Sequence, residues 1–405
     1  SADAVFEADA SGCVDTASSP AISGAYEGVD VGGPFWATAP AAPRGAYLAR
    51  LRQEPEVPLA PVIDPLAASL YRIEALRGQE TLGAVDVVRR RLADGVRHEV
   101  VAAGRLRGHY FEPADGPGRC AVLVLGGSEG GVIPTRAASL AAEGIPAMAL
   151  GYFDYLDRPK AAINLPIEYF VEALEWLAAR APSIRLGVWG SSRGSEAAFL
   201  TAAAAPDVVS AVIGWVPSHV VNNGFDMTGG VDFAKTTEAM WTHAGRPYPY
   251  LPGGALGPEL LEKRRLGLAT PPGYRFADEF ALRWGEEGVE DRYGLPLEAV
   301  NASVLLVSGE DDAIWPSTFG AERIARRWRR LGKRHPLKHV SYAGVGHAIG
   351  VPNEPRPFSD IAHWSGGYSG VANGFVAYGG SPAANARAAR KAWPEATGFL
   401  KSTLL

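Results

Sequence analysis

An α/β fold is predicted: a mostly parallel sheet with helices on both faces, preceded by a small β domain. Three observations point to it. From about residue 98 onward, short apolar strand-like runs alternate with stretches of helical period, the pattern of a parallel sheet with crossover helices. Runs such as AVLVLGG and ASVLLVSG are of buried-strand length and are followed by Gly-rich or acidic turns. Residues 1–97 are instead rich in Pro, Gly and Ala, with turn-like stretches such as SGAYEGVD and PAAPRG and little helical periodicity.

The elements follow in order. Val5, Phe6, Glu7 and Ala8 read as a short strand, and LAASLYRIEALRG reads as one helical exception in the β region. The run HEVVAAGRLRGHYFEP alternates and predicts a hairpin. Residues 120–125 form a buried strand, 136–143 a helix stopped by Gly144, and 146–150 a strand. Ile167, Phe170, Val171, Leu174 and Leu177 have the 3.6-residue period of an amphipathic helix, with Asn164 placed to cap it. Strand 184–189 and helix 195–204 come next. Later come strand 304–308, a helix over 317–331 ended by Gly332, and strand 338–342. A final helix is opened by Ser381 and Pro382 and runs through Trp393. Residues 216–299 break this order. They carry many Gly, Pro, Trp and Tyr residues and are too long for an ordinary loop. They are expected to form a lid over the C-terminal edge of the sheet. No internal repeat is visible.

Two serines lie in G-x-S-x-G pentads. One is Gly190-Ser191-Ser192-Arg193-Gly194; the other is Gly126-Gly127-Ser128-Glu129-Gly130. A strand, this pentad and a helix make the nucleophile elbow of α/β-hydrolases, where a sharp turn exposes a serine. The pentad alone is weak, so its position in the chain decides. Ser128 follows the first core strand, whose loop supplies an oxyanion-hole N–H in that fold. Ser192 follows the third strand of the run, opens a helix, and precedes an acid and a histidine in the order Ser, Asp, His. Ser192 is the expected nucleophile. Asp311 and Asp312, after ASVLLVSGE, are both candidates for the acid. His347, in YAGVGHAIG beyond the last core strand, is the expected base. The oxyanion donors are expected to be the backbone N–H of Arg193 and one from Ser128 or Glu129. His98, His109, His335 and His339 flank strands and read as structural or exposed. His219, His243 and His363 fall in loop or lid-like regions where substrate contact is conceivable.

Composition narrows the class. A net charge of −5 with no block of like charges argues against nucleic-acid binding. The basic cluster in RIARRWRRLGKR reads as the solvated face of a helix. No apolar run reaches the ~18 residues of a membrane helix. No signal peptide is visible, and a cytoplasmic location is the expectation. The chain opens on Ser1 rather than Met, so a leader or a longer N-terminus is expected to have been removed. Cys13 and Cys120 make neither a disulfide framework nor a metal spacing and read as inert buried thiols. Neither metal-ligand spacing nor a dinucleotide fingerprint is present, so no metal and no cofactor is expected.

At this point the chain resembles the acyl-CoA thioesterase and bile acid-CoA:amino acid N-acyltransferase family. The resemblance spans nearly the whole sequence. It is carried by VFEADASGCVDTASSPAISGAYEGVDVGGPFWATAP, LGGSEGG, LGYFDYLDRPK, LPIEYFVEALEWL, GSSRGSE, VSGEDDAIWPS and GGSPAANARAARKAWPEATGFL. It implies an immunoglobulin-like β-sandwich over residues 1–97, beginning here in mid-domain, and an α/β-hydrolase domain over 98–405. It implies Ser192 as nucleophile, Asp312 rather than Asp311 as acid, and His347 as base. A serine nucleophile in this family goes with hydrolysis of CoA thioesters, and a cysteine with amide formation. The expected activity is therefore hydrolysis of acyl-CoA or carrier-bound acyl thioesters. Transfer of the acyl group to an amine or hydroxyl acceptor, or hydrolysis of an ester or lactone, are the alternatives. The 216–299 segment is long and aromatic beside the animal members, so the resemblance by itself does not carry the usual fatty-acyl and bile-acyl substrates over to this chain.

Overall fold

The computed structural model describes residues 3–37, 66–181, 184–226, 237–253, 257–352, 361–368 and 371–405. The N-terminal part contributes two separate two-stranded antiparallel ribbons. One pairs β1 (Ala4–Phe6) with β2 (Ala21–Gly24), and a short helix, α1 (Gly33–Trp36), follows. The other pairs β3 (Ser69–Arg77) with β4 (Glu80–Arg89). The LYRIEALR stretch is therefore a strand, which corrects the helical expectation. The hairpin partner supplies the hydrogen bonds that a local helix would otherwise have made. Much of the expected sandwich, residues 38–65, lies outside the described residues.

The body of the protein is an eight-stranded sheet. It begins with the hairpin β5 (Arg97–Val101) and β6 (Gly108–Glu112), as the alternation predicted. Then come β7 (Cys120–Leu125), α2 (Pro134–Ala142), β8 (Ala147–Leu150), a two-residue strand β9 (Leu165–Pro166), α3 (Glu168–Ala178), β10 (Arg185–Ser191), α4 (Arg193–Ala204) and β11 (Val209–Trp215). The 216–299 segment holds β12 (Trp241–His243), β13 (Arg246–Pro247), α5 (Pro258–Ala269), α6 (Ala277–Trp284) and α7 (Val289–Tyr293). The core resumes with β14 (Ser303–Gly309), α8 (Ser317–Arg330) and β15 (Leu337–Tyr342). The hairpin β16 (Ile361–Tyr368) and β17 (Val371–Ala377) and the long α9 (Pro382–Leu404) complete the chain.

The strand order is β15-β14-β11-β10-β7-β8-β6-β5. All pairings from β15 to β8 are parallel, and only those of β6 with its two neighbours are antiparallel. Strand residues alternate between two cores, because successive side chains point to opposite faces. Leu123 and Leu125 join Phe170, Leu174, Phe199, Ile324 and Trp328 from α3, α4 and α8 on one face. Val122 and Val124 join Ala137, Leu140, Ala392, Ala396 and Leu400 from α2 and α9 on the other. Being apolar on both faces is what makes these strands read as continuous hydrophobic runs.

Three smaller expectations change. Asn164 does not cap α3: it has a positive φ of 52° and its N–H donates to the Ala239 carbonyl. The last helix continues through Pro394 to Leu404, because Ala396, Leu400 and Leu404 are buried against the sheet. Packing there outweighs the hydrogen bond that proline removes. Cys120 is buried as expected, and burial pushes its thiol up to about 11. Cys13 is exposed rather than buried; both are free thiols. Among the described residues no helix is long and apolar enough to cross a membrane.

Candidate active site

Ser192 sits in the turn between β10 and α4 with φ 54° and ψ −122°, a strained conformation for a residue with a Cβ. Its surroundings impose it. The Ser192 N–H donates to the Trp215 carbonyl at 2.9 Å, and its own carbonyl accepts from the Ser195 N–H and Oγ at 2.9 and 2.7 Å. The glycines of the pentad have a steric cause. A Cβ at position 190 would lie 1.9 Å from the Gly194 oxygen, and one at position 194 would lie 2.1 Å from the Gly126 oxygen. Backbone atoms cannot yield as a flexible side chain does. Gly190→Ala is therefore expected to cost on the order of 3 kcal/mol or more, read as a fall in the thermal unfolding midpoint; an unchanged midpoint would refute the steric account.

The second pentad follows β7 and lies against the first. A Cβ on Gly127 would stand 2.9 Å from the Ser192 Cβ. Its loop is braced from behind: the Tyr152 hydroxyl donates to the Gly126 oxygen at 2.7 Å, and the Gly131 N–H donates to the Phe153 oxygen at 3.1 Å. Burial is the main cause that pushes the Tyr152 phenol well up, so it stays a neutral donor.

His347 lies beyond β15, with its N–H donating to the Tyr378 carbonyl at 2.7 Å. Its Nδ1 is 2.8 Å from Asp312 Oδ2 and its Nε2 is 3.0 Å from Ser192 Oγ. A carboxylate can only accept, so Nδ1 carries the proton and Nε2 is left to accept from the serine hydroxyl. The Asp312 side chain is buried, and its Oδ1 accepts the N–H groups of Ile314 and Trp315 at 3.0 and 3.2 Å. Asp311 faces elsewhere. It accepts from Gly380 N–H at 2.9 Å and pairs with Arg275 at 3.1 Å on the surface. The structure thus brings Ser192, His347 and Asp312 together and leaves Asp311 out.

One pocket opens on these groups. It is lined by the polar residues Ser128, Glu129, Ser192, Arg193 and His347 and by Phe276, Phe280, Ile314, Trp315, Val376 and Tyr378. Phe276 and Phe280 come from the 216–299 segment. Ser128, Glu129 and Arg193, the residues expected to furnish oxyanion donors, all border it.

A buried polar network escaped the sequence reading. Glu196, on α4, accepts from Arg193 Nη1 (3.2 Å), Asn222 Nδ2 (2.9 Å), Asn222 N–H (3.1 Å) and Trp241 Nε1 (3.0 Å). Burial pushes its carboxyl up while Arg193 and the donors of Asn222 and Trp241 pull it down. Asn222 Oδ1 in turn accepts from Trp284 Nε1 at 3.2 Å. This ties the elbow helix to α6 and β12 of the 216–299 segment. A lone glutamate in the alanine-rich run SEAAFLTAAAA was the available signal.

His98, His109, His219, His243, His335 and His339 are not among the residues that line the pocket with Ser192. His109 bridges His98 and Tyr155 at 2.8 and 3.0 Å, His335 contacts Asn301, and His339 contacts Ser308. His243 stacks on Tyr248 near Glu168. The His363 side chain lies outside what is described. His219 is buried between Trp284 and Phe319, and neither ring nitrogen has a hydrogen-bond partner among the described residues. Burial first, then Arg323 and Arg327, pushes it down to about 3. The unfolded chain takes up that proton near pH 6.5 while the folded chain resists it. Stability is therefore full above pH 6.5 and declines as pH falls toward 3. Relative to pH 8, about 2 kcal/mol should be lost at pH 5 through this group. His219→Phe is expected to remove that part of the pH dependence in denaturant titrations at the two pH values; an identical pH slope would refute it.

Comparison with known proteins places the chain. Residues 1–103 match the family profile described as acyl-CoA thioester hydrolase/BAAT N-terminal region, and residues 274–405 the one described as BAAT/acyl-CoA thioester hydrolase C terminal. Human acyl-coenzyme A thioesterase 1 is 29% identical over 415 residues, covering 100% of this chain and 86% of the relative. Human mitochondrial acyl-coenzyme A thioesterase 2 is 28% identical, covering 100% and 75%. Among solved structures, a puromycin-hydrolyzing peptidase of Mycobacterium tuberculosis is similar at 15% identity and TM-score 0.44, over 79% of this chain and 44% of that one. Carboxyl esterase 2 of Tuber melanosporum is similar at 15% identity and TM-score 0.43, over 77% and 88%. With its mostly parallel sheet and its strand–elbow–helix turn, the chain is an enzyme of α/β-hydrolase fold, and it belongs to the acyl-CoA thioester hydrolase/BAAT family.

Proposed function

We propose that this enzyme hydrolyses acyl thioesters, acyl-CoA or carrier-bound, through an acyl-enzyme on Ser192. The observation that carries the reading is the continuous hydrogen-bond chain Ser192–His347–Asp312 at one end of an apolar pocket. His347 Nε2 takes the Ser192 proton as Oγ attacks the thioester carbonyl. Asp312 holds the imidazole in the required tautomer and offsets its developing charge. Backbone N–H groups of Arg193 and of Ser128 or Glu129 receive the oxyanion, each typically worth about 3 kcal/mol in the transition state. The tetrahedral species collapses, the C–S bond breaks, and the proton on His347 passes to the departing thiolate. Water then attacks the acyl-enzyme, His347 takes its proton and returns it to Ser192 Oγ, and the carboxylic acid leaves. No bound group beyond side chains and backbone enters these steps.

Two further features support the reading. The nucleophile position holds serine, and the family relatives named above are thioesterases. The 216–299 segment acts as a lid, since Phe276 and Phe280 supply part of the apolar wall. A fluorophosphonate probe should label Ser192, identified by peptide mass spectrometry, and the protein should release free thiol from at least one of a panel of acyl-CoA thioesters. A protein that neither takes the label nor releases thiol overturns the proposal.

A further inference from the structure

The loop beside the nucleophile is held from the core by one phenol. Tyr152 follows β8 and is buried, its ring packed against Phe153 and Phe170 at centroid distances of 5.2 Å and against Trp241 at 6.0 Å. Its hydroxyl donates to the Gly126 oxygen at 2.7 Å and lies 3.4 Å from the Gly127 oxygen. Both carbonyls belong to the loop whose Ser128 borders the pocket with Ser192. The close approach to the elbow requires glycine here, since a Gly127 Cβ would stand 2.9 Å from the Ser192 Cβ. Two consecutive glycines have no side chains to pack and the widest backbone freedom of any residue. Hydrogen bonds to their peptides therefore set the orientation of the loop.

Peptide planarity carries that constraint across to the pocket. The Gly127–Ser128 bond is trans, so the Gly127 C=O and the Ser128 N–H lie in one plane and point in opposite directions. A carbonyl turned toward the buried phenol leaves the Ser128 N–H turned away from it. The preceding peptide is fixed at both edges: the Gly127 N–H donates to Glu129 Oε1 at 3.0 Å while the Gly126 oxygen accepts from Tyr152. A glycine peptide released from such bonds rotates at low cost. An N–H that turns away from the developing oxyanion gives up its share of the transition-state stabilisation.

We propose that Tyr152 is the positioning residue of the oxyanion hole: its hydroxyl fixes the Gly126 and Gly127 carbonyls and so aims the Ser128 N–H at the oxygen that becomes charged. The proposal rests on the reading of Ser192 as nucleophile given above and adds to it the group that orients one of its two oxyanion donors. Tyr152 touches neither substrate nor the reacting atoms and takes no part in proton transfer.

The test compares Tyr152→Phe with Tyr155→Phe in the full-length enzyme. Each keeps the ring and removes one buried hydroxyl; that of Tyr155 contacts His109 at 3.0 Å. With the acyl-CoA thioester cleaved fastest, Tyr152→Phe should lower kcat roughly 10- to 100-fold and leave KM within about twofold, because the N–H meets a full charge only in the transition state. Inhibition by an alkylthio trifluoromethyl ketone, whose adduct with Ser192 Oγ carries the same alkoxide, should weaken by a similar factor. Calorimetric binding of the thioester to Ser192→Ala should be the same with and without Tyr152→Phe. Tyr155→Phe should change none of these quantities. Tyr152→p-aminophenylalanine, which returns a donor to the ring tip, should recover most of the loss. The ratio of ketone affinity to substrate affinity does not depend on the folded fraction of a preparation, so it separates aim from stability. A kcat for Tyr152→Phe within about twofold of the unmodified enzyme, undiminished inhibition by the ketone, an equal loss in Tyr155→Phe, or no recovery with the amino side chain overturns the proposal. Failure of the unmodified enzyme to cleave any thioester overturns the hydrolytic reading instead, and the ketone comparison, which needs no leaving group, still decides this one.

Discussion

Replacing Ser192 with alanine is expected to reduce thioester hydrolysis by roughly four to six orders of magnitude. The change removes one oxygen, the atom that His347 Nε2 contacts at 3.0 Å. Without it no acyl-enzyme forms, and what remains is binding and the oxyanion donors acting on water. The fold should be preserved. The turn is held by backbone bonds from Ser192 to Trp215 and Ser195, which alanine also makes. Thiol release followed under saturating acyl-CoA measures the loss, and far-ultraviolet circular dichroism checks the fold. Activity within tenfold of the unmodified enzyme would remove Ser192 from the mechanism. Ser128 would then be the next serine to test, because it borders the same pocket.

Asp312→Asn should lower kcat by about 10⁴-fold, while Asp311→Asn should change it only a few-fold. The two aspartates are neighbours in sequence, so the contrast isolates geometry. Asp312 Oδ1 is committed to the N–H groups of Ile314 and Trp315. In the asparagine variant the oxygen keeps those donors and the amide NH2 is turned toward His347 Nδ1. A donor there forces the imidazole proton onto Nε2, and Nε2 can no longer accept from Ser192. Asp311 accepts from Gly380 and Arg275 at a partly exposed position, and an amide there costs at most about 1 kcal/mol of stability. Steady-state kinetics of both variants over a pH series decide the matter. Equal losses, or a larger loss at Asp311, would refute the assignment.

Much of the molecule was legible from local pattern. The buried strands at Cys120–Leu125, Arg185–Ser191 and Ser303–Gly309 announced themselves because they are covered on both faces and must be apolar throughout. The elbow was legible because its glycines answer to contacts within the motif and its neighbouring loop. His347 stood out as a Gly-flanked histidine beyond the last strand. Where the reading failed, partners distant in sequence were responsible. Ser69–Arg77 carries a pattern that suits helix or strand, and its pairing with Glu80–Arg89 decided between them. The end of α9 depended on buried contacts with the sheet, not on its internal proline.

The sequence by itself determined the alternation of strands and helices, the order serine, acid, histidine, and the turn that only glycine can flank. These depend on periodicity and on sterics within a few residues, which any reader of the chain can count. Local pattern left Asp311 and Asp312 open and the family resemblance implied Asp312; only the tertiary structure shows the contact of Asp312 with His347, and that Glu196, Asn222, Trp241 and Trp284 join the elbow helix to the 216–299 segment. Those outcomes turn on the direction of a side chain and on the donors and dielectric around it. Both are set by residues far away in the chain, brought within hydrogen-bond distance only by folding.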